Sequence, residues 1–208
     1  MATRVPRLEW TDPGVHPARR VATRVASAVI AVVAAIVLLV PLVEALRPTS
    51  SSAAIDHYEH GARPAPTRVV DGGFAAAFPT SPDRSAHTGA FDGTPMTGAT
   101  YESDPDSGFR FLVTYLDLPA AALGHERDVV LAAIGSTARS FGGTLRSSSD
   151  TVVDGHPRGD FVVALHDASF HGRVVVVGTR LYVYGVQTPP GHDLSFTRFV
   201  DSFSVSAD

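Results

Sequence analysis

The stretch FRFLVTYLD, residues 109–117, is followed after Leu118-Pro119 by a run of helical period over about 123–141, and this succession decides the fold. In the first run Phe109, Phe111, Val113 and Tyr115 alternate onto one face, with the aromatic and β-branched content of a strand. In the second, Val130, Ile134, Ala138 and Phe141 recur at spacings of four, four and three, one apolar stripe. Glu126 and Asp128 suit the positive N-terminal end of that helix, and Arg139 suits its negative C-terminal end. Gly142-Gly143 stops it. Short strands joined by turns lie on either side. The expected class is α+β, an antiparallel β-sheet flanked by helices and preceded by one transmembrane helix.

Toward the C-terminus four strands follow. Residues 144–153 run to an Asp154-Gly155 turn, and 158–166 alternate with Phe161, Val163 and Leu165 on one face. The loop 167–172 returns the chain into 173–177, and Gly178-Thr179-Arg180 links tightly to 181–187. The four valines after Arg173 predict a strand buried on both sides at the centre of the sheet. A last short helix, about 195–203, carries Phe196, Phe199, Val200 and Phe203 and is expected against the sheet. Tyr182 and Tyr184 share one face of the preceding strand, where packing beneath that helix is the expected role and a partner surface the rival one.

Toward the N-terminus, residues 74–78 form a short strand that stops at Pro79 and Pro82. The polar segment 84–103 predicts one or two edge strands joined at Asp92-Gly93. The turn from Asp104 to Gly108 has the Asp-x-Asp-x-Gly spacing of a calcium loop without its third acid or distal glutamate.

Before residue 68 the chain changes character. Residues 25–43, VASAVIAVVAAIVLLVPLV, are nineteen residues without a charge. At about 1.5 Å per residue, a helix of that length covers the roughly 30 Å hydrocarbon core of a bilayer. The expected organisation is a disordered cytoplasmic tail (1–20), a transmembrane signal anchor (21–46), a Pro/Ser-rich stalk (47–67) and an exported α+β domain (68–208). A cleaved signal peptide is the rival reading. Ser51-Ser52-Ala53 offers a small-x-small site, but the apolar run exceeds the usual ~7–15 residues of such a peptide. Ser27, Ala31 and Ala35 form a small-xxx-small ridge suited to pairing with another membrane helix.

Charge supports the orientation. Residues 1–24 hold five arginines against two acids, whereas from Arg47 onward twelve arginines face eighteen acids. Basic flanks stay cytoplasmic, so the N-terminus is expected inside and the C-terminal domain outside the plasma membrane. An acidic exported domain argues against nucleic acid as a partner. The 208 residues include no cysteine, which removes disulfides, thiolate chemistry and a lipoprotein anchor. The absence of lysine beside abundant alanine, valine and arginine is the bias of a GC-rich genome.

Motifs that carry chemistry are scarce. No Gly-x-Ser-x-Gly, phosphate loop or His-Glu-x-x-His occurs, so neither an enzyme nor a cofactor is expected. His57, Glu59 and His60 cluster within the stalk but fall short of a metal site on a rigid frame. His166 and His171, with Asp167, straddle one turn and are weak candidates for a metal. Asp154 with His156 reads as turn chemistry.

The order of these signals is familiar. It comprises Phe74-x-x-x-Phe78-Pro79 with a following proline, a strand ending in Leu118-Pro119, and a helix running to Gly142-Gly143. Then come Gly155-x-Pro157 into Asp160-Phe161, Gly172-Arg173, Arg180-Leu181-Tyr182, and a closing Phe199-Val200-Asp201-Ser202-Phe203. This resembles the PsbP/DcrB-like superfamily over about residues 69–205. The resemblance implies an antiparallel sheet flanked by helices and an exported accessory role that works by binding larger assemblies. It implies no catalytic set. Bacterial members are often lipoproteins, whereas this chain substitutes a helix anchor. The expected function is therefore a membrane-tethered accessory domain with the bilayer and another envelope protein as partners. The alternative is a small-ligand or metal-binding domain.

Overall fold

Turn chemistry and alternation together set the strands. The computed structural model describes residues 53–62, 65–70, 72–91, 94–105, 108–190 and 192–206. The expected tail, the 21–46 span and its Ser27, Ala31 and Ala35 ridge lie outside the described residues. Among the described residues no helix is long and apolar enough to cross a membrane.

The chain enters through helix α1 (Ala53–His60) and then forms β1 (Thr67–Val69) and β2 (Phe74–Ala76). Next come the long pair β3 (Asp83–Phe91) and β4 (Thr94–Ser103), and then β5 (Arg110–Asp117). One 3-10 turn, Ala120–Ala122, leads to helix α2 (Glu126–Ser140). The strands β6 (Thr144–Val153), β7 (His156–Ala164), β8 (Ser169–Val177) and β9 (Arg180–Thr188) form a meander. Helix α3 (Asp193–Ser202) and the short β10 (Ser204–Val205) end it.

Seven strands make one antiparallel sheet in the order β3-β4-β5-β9-β8-β7-β6, and β1-β2-β10 make a small second sheet. The α+β class expected from the sequence is the one observed. Tight two-residue links work where the backbone can turn left-handed. Asp154 and Gly155 adopt φ of 52° and 80°, which matches the hairpin twist between β6 and β7.

Several details differ from the sequence expectation, one being that β8 already begins at Ser169, inside the expected 167–172 loop. The central strand is β9, which is buried on both faces along most of its length, whereas β8 alternates between buried and half-buried residues. The four valines of β8 thus bury only one face fully, because α3 lies chiefly over β9. Helix α2 starts at Glu126 and not at 123, since Gly124 takes a φ of 81° and its N–H donates to Glu126 Oε1 at 2.7 Å. That bond also holds the Glu126 carboxyl below the usual carboxylate range. Finally, residues 53–60, expected to be stalk, form α1 with Tyr58 only 2% exposed.

The sheet separates two cores. On one face α2 packs Val130 and Ile134 against Phe161, Phe170 and Val174. Gly159 allows the close approach, since a Cβ there would come 2.7 Å from Ile134 Cδ1. On the other face α1, α3 and the small sheet cover an aromatic layer built from Tyr58, Phe74, Phe111, Tyr182 and Phe199. Tyr182 and Tyr184 belong to this layer, with 2% and 5% exposure, so they are packing residues.

Candidate functional site

The densest polar constellation among the described residues lies where α1 meets α3. Tyr58 anchors α1 with its ring in T-shaped contact with Phe111, centroids 5.0 Å apart, and its hydroxyl donating to Ala77 O at 3.2 Å. This placement brings the Glu59 side chain, 7% exposed, to the start of α3. There Ser195 Oγ donates to Glu59 Oε1 at 2.6 Å, and His192 Nδ1 lies 3.1 Å from Oε2. In return Arg198 donates to the carbonyl of Glu59 and, at 2.9 Å, to that of Gly61. Its guanidinium also sits 6.0 Å from the Tyr58 ring centroid.

Arg198 caps the carbonyls at the end of α1, and Glu59 brings its charge to the start of α3 through the side chains of His192 and Ser195. A helix N-terminus presents unpaired N–H groups and partial positive charge, and its C-terminus presents unpaired carbonyls and partial negative charge. Here α1 supplies the carboxylate for the start of α3, and α3 supplies the cation for the end of α1. Serine, histidine and glutamate do meet, but both side chains address the same carboxylate. Ser195 is fully buried, so its hydroxyl has no access to a substrate. The arrangement clamps two helices and has no geometry for acyl transfer. Sequence reading separated its members because Glu59 and Ser195 are 136 positions apart.

The candidate metal residues are dispersed. His166 stands 96% exposed on the β7–β8 turn, 3.7 Å from Asp167. His171 lies on β8 with its ring 5.6 Å from that of Phe196. His60 pairs with Asp56 on the exposed side of α1, and Glu59 is turned into the junction. Among the described residues, no three histidine, aspartate or glutamate side chains gather where a metal ion would be held.

Two further polar groups mark the sheet. Beyond α3, Arg173 forms a two-bond ion pair with Asp160, and Arg158 approaches the same carboxylate at 3.5 Å. Tyr184 sits beside them, and burial pushes its hydroxyl pKa up. On the opposite face His87 lies 3.0 Å from Thr100 Oγ1, which lies 2.8 Å from Thr114 Oγ1. Burial, and then the charge of Arg84, lower the His87 pKa.

The least covered element is β6. All ten of its residues are exposed, and it pairs only with β7 among the described strands.

No family model matches the chain, and no curated protein does. Among solved structures, the fold is similar to the solution structure of PsbP (CyanoP) from the cyanobacterium Synechocystis. The TM-score is 0.47 at 14% identity, covering 68% of this chain and 91% of that one. A crystal structure of a Pseudomonas aeruginosa protein of unknown function matches with a TM-score of 0.29 at 11% identity, covering 63% of this chain and 86% of that one. Neither likeness bears on what the chain does.

Proposed function

We propose that the chain is a single-pass plasma-membrane protein whose exported domain serves an envelope complex by binding and carries no catalysis of its own. The uncharged run at 25–43 supplies the span, and the basic residues before it face the cytoplasm. The observation that carries the reading is the docking of α1. Residues 44–52 alone separate the apolar run from a helix whose Tyr58 is buried in the domain. Nine extended residues reach about 30 Å at most. The domain therefore works within one domain diameter of the bilayer, where its partner is another membrane-bound protein of the envelope.

The test has two arms. A cysteine placed in this cysteine-free chain by S85C reacts with a membrane-impermeant maleimide in intact cells if the domain is exported. Protection from the reagent until the cells are lysed would refute the topology. Crosslinking in intact membranes, followed by purification of the full-length chain, then captures the partner. A control with 25–43 replaced by an unrelated span captures the same protein if the domain does the binding. Loss of capture in that control moves recognition to Ser27, Ala31 and Ala35 and overturns the domain's role.

A further inference from the structure

An edge strand leaves a row of backbone N–H and C=O groups unpaired, and proteins blunt such edges with proline, inward-pointing charges, short length or a covering element. Against pairing, β6 carries one bulge, at Arg146, and two charges, which are of opposite sign. It is ten residues long, contains no proline, and is exposed along its whole length. Three of the six exposed large hydrophobic side chains among the described residues lie on it: Leu145, Val152 and Val153.

Its charges carry the argument. Arg146 and Asp150 are the two charged residues of β6, of opposite sign, two positions to either side of Ser148. In an antiparallel pairing of β6 with a second β6 about a two-fold axis at Ser148, each Arg146 stands opposite the partner's Asp150. Ser147 then faces the partner's Ser149, and the bulge beyond Arg146 ends the regular ladder there. Directly opposed ions of unlike sign stabilise such a ladder. Moving the axis to Asp150 would oppose two carboxylates, so charge selects the register. Asp150 is already held by α2, with Arg127 Nε 2.7 Å and an Arg127 terminal nitrogen 2.6 Å away. A fixed carboxylate loses little freedom on accepting a second guanidinium. Arg146 is the extra residue of a β-bulge, with no register partner on β7. Such bulges re-aim a side chain.

The other sheet edge lacks this complementarity. In β3 both charged residues, Asp83 and Arg84, sit at one end, so no centred two-fold register opposes them. Arg84 moreover donates inward to the Tyr101 hydroxyl at 2.9 Å.

We infer that β6 is a self-association edge: two copies pair antiparallel through β6 about Ser148, joining their seven-stranded sheets into one. The partner on this edge is thus a second copy of the chain, an assignment that goes beyond the accessory role.

The absence of cysteine makes the test direct. On the axis, Cα atoms of paired strands lie about 4.5–5.5 Å apart, inside the disulfide window of roughly 4.4–6.8 Å. The full-length S148C chain, oxidised in intact cells with copper-phenanthroline, is expected to form a covalent dimer. S85C, on the opposite edge, reports random collision. In the S148C background, R146D or D150R turns two attractive pairs repulsive and lowers dimer yield about tenfold, while R146D with D150R restores it. Thermal melts confirm that these exposed substitutions leave the fold intact. Equal crosslinking at both edges overturns the proposal. So does a single reversal without effect, or a double reversal without rescue.

Discussion

The two faces of the large sheet are closed in different ways. Under α2 the core is mostly aliphatic and made by neighbours in sequence, since α2 leads through Gly142-Gly143 directly into β6 and the β6–β9 meander. Under α1 and α3 the core is aromatic and made by the two ends of the described chain. There Ala77 N–H donates to Ser202 Oγ across 125 positions, and the Tyr182 hydroxyl donates to Gly72 O across 110. The first face is built by local order. The second closes only when both ends of the described chain return to the sheet, so its outermost member, α1, is expected to open first.

The sharpest way to break the contrast is Phe199→Ala. Phe199 is fully buried against Phe78 and Phe111, with ring centroids at 5.2 and 5.4 Å. Its truncation is expected to cost about 3–5 kcal/mol in denaturant unfolding of the full chain. An unfolding midpoint close to the parent's would mean that the aromatic face is a loose cover. Tyr58→Ala acts on the same face at its rim, with an expected loss near 3 kcal/mol. Here the informative readout is hydrogen exchange. Amides of α1 lose protection while β5 and β9 keep theirs, and a uniform loss would show that α1 is integral to the core.

Glu59→Gln keeps the shape of the clamp and removes its charge. An expected loss of about 1.5 kcal/mol follows from weakening one charge-assisted bond and the carboxylate at the start of α3. Chemical denaturation with and without R198M checks whether the two contacts couple, since independent contacts would give additive losses. On the aliphatic face Ile134→Val removes one methyl group and is expected to cost about 1 kcal/mol. A larger loss there than at Glu59 would reverse the ranking of the two faces.

The smallest effect is one of pH. His87 has a lowered pKa in the fold, caused by burial and then by Arg84. The unfolded chain therefore binds a proton more readily than the folded one. Stability from this group is complete above the ordinary histidine pKa of about 6.5 and is lost as pH falls below it toward the folded value. H87Q is expected to flatten the drop in melting temperature between pH 7.5 and 5.5. An unchanged slope would assign the pH dependence elsewhere.

Much of the local architecture was legible because its causes are local. The alternation of Phe111, Val113 and Tyr115, the stripe of Val130, Ile134 and Ala138, and the turn at Asp154-Gly155 act over a few residues, and β5, α2 and the β6–β7 hairpin follow from them. The central position went to β9 and not to the valine-rich β8 because β9 pairs with β5 as well as β8 and lies under α3, and no strand's composition encodes its neighbours or its cover. The junction of Glu59, His192, Ser195 and Arg198 was illegible for the same reason. His57-Tyr58-Glu59-His60 is polar on average and reads as stalk, although the Tyr58 ring and the Glu59 side chain are both buried in the fold.

Taken alone, the sequence determined the α+β class, the turns that separate the strands, the polarity of helix α2 and the presence of a bilayer-length apolar run at 25–43. Tertiary structure decided which strand is central, that Tyr58 docks, and that two distant helices are clamped at their ends. Among the described strands it also left β6 with one open edge. The physical reason is range: periodicity and turn chemistry are written within a few residues, whereas burial and helix-end charge pairing depend on groups that only the folded chain brings together.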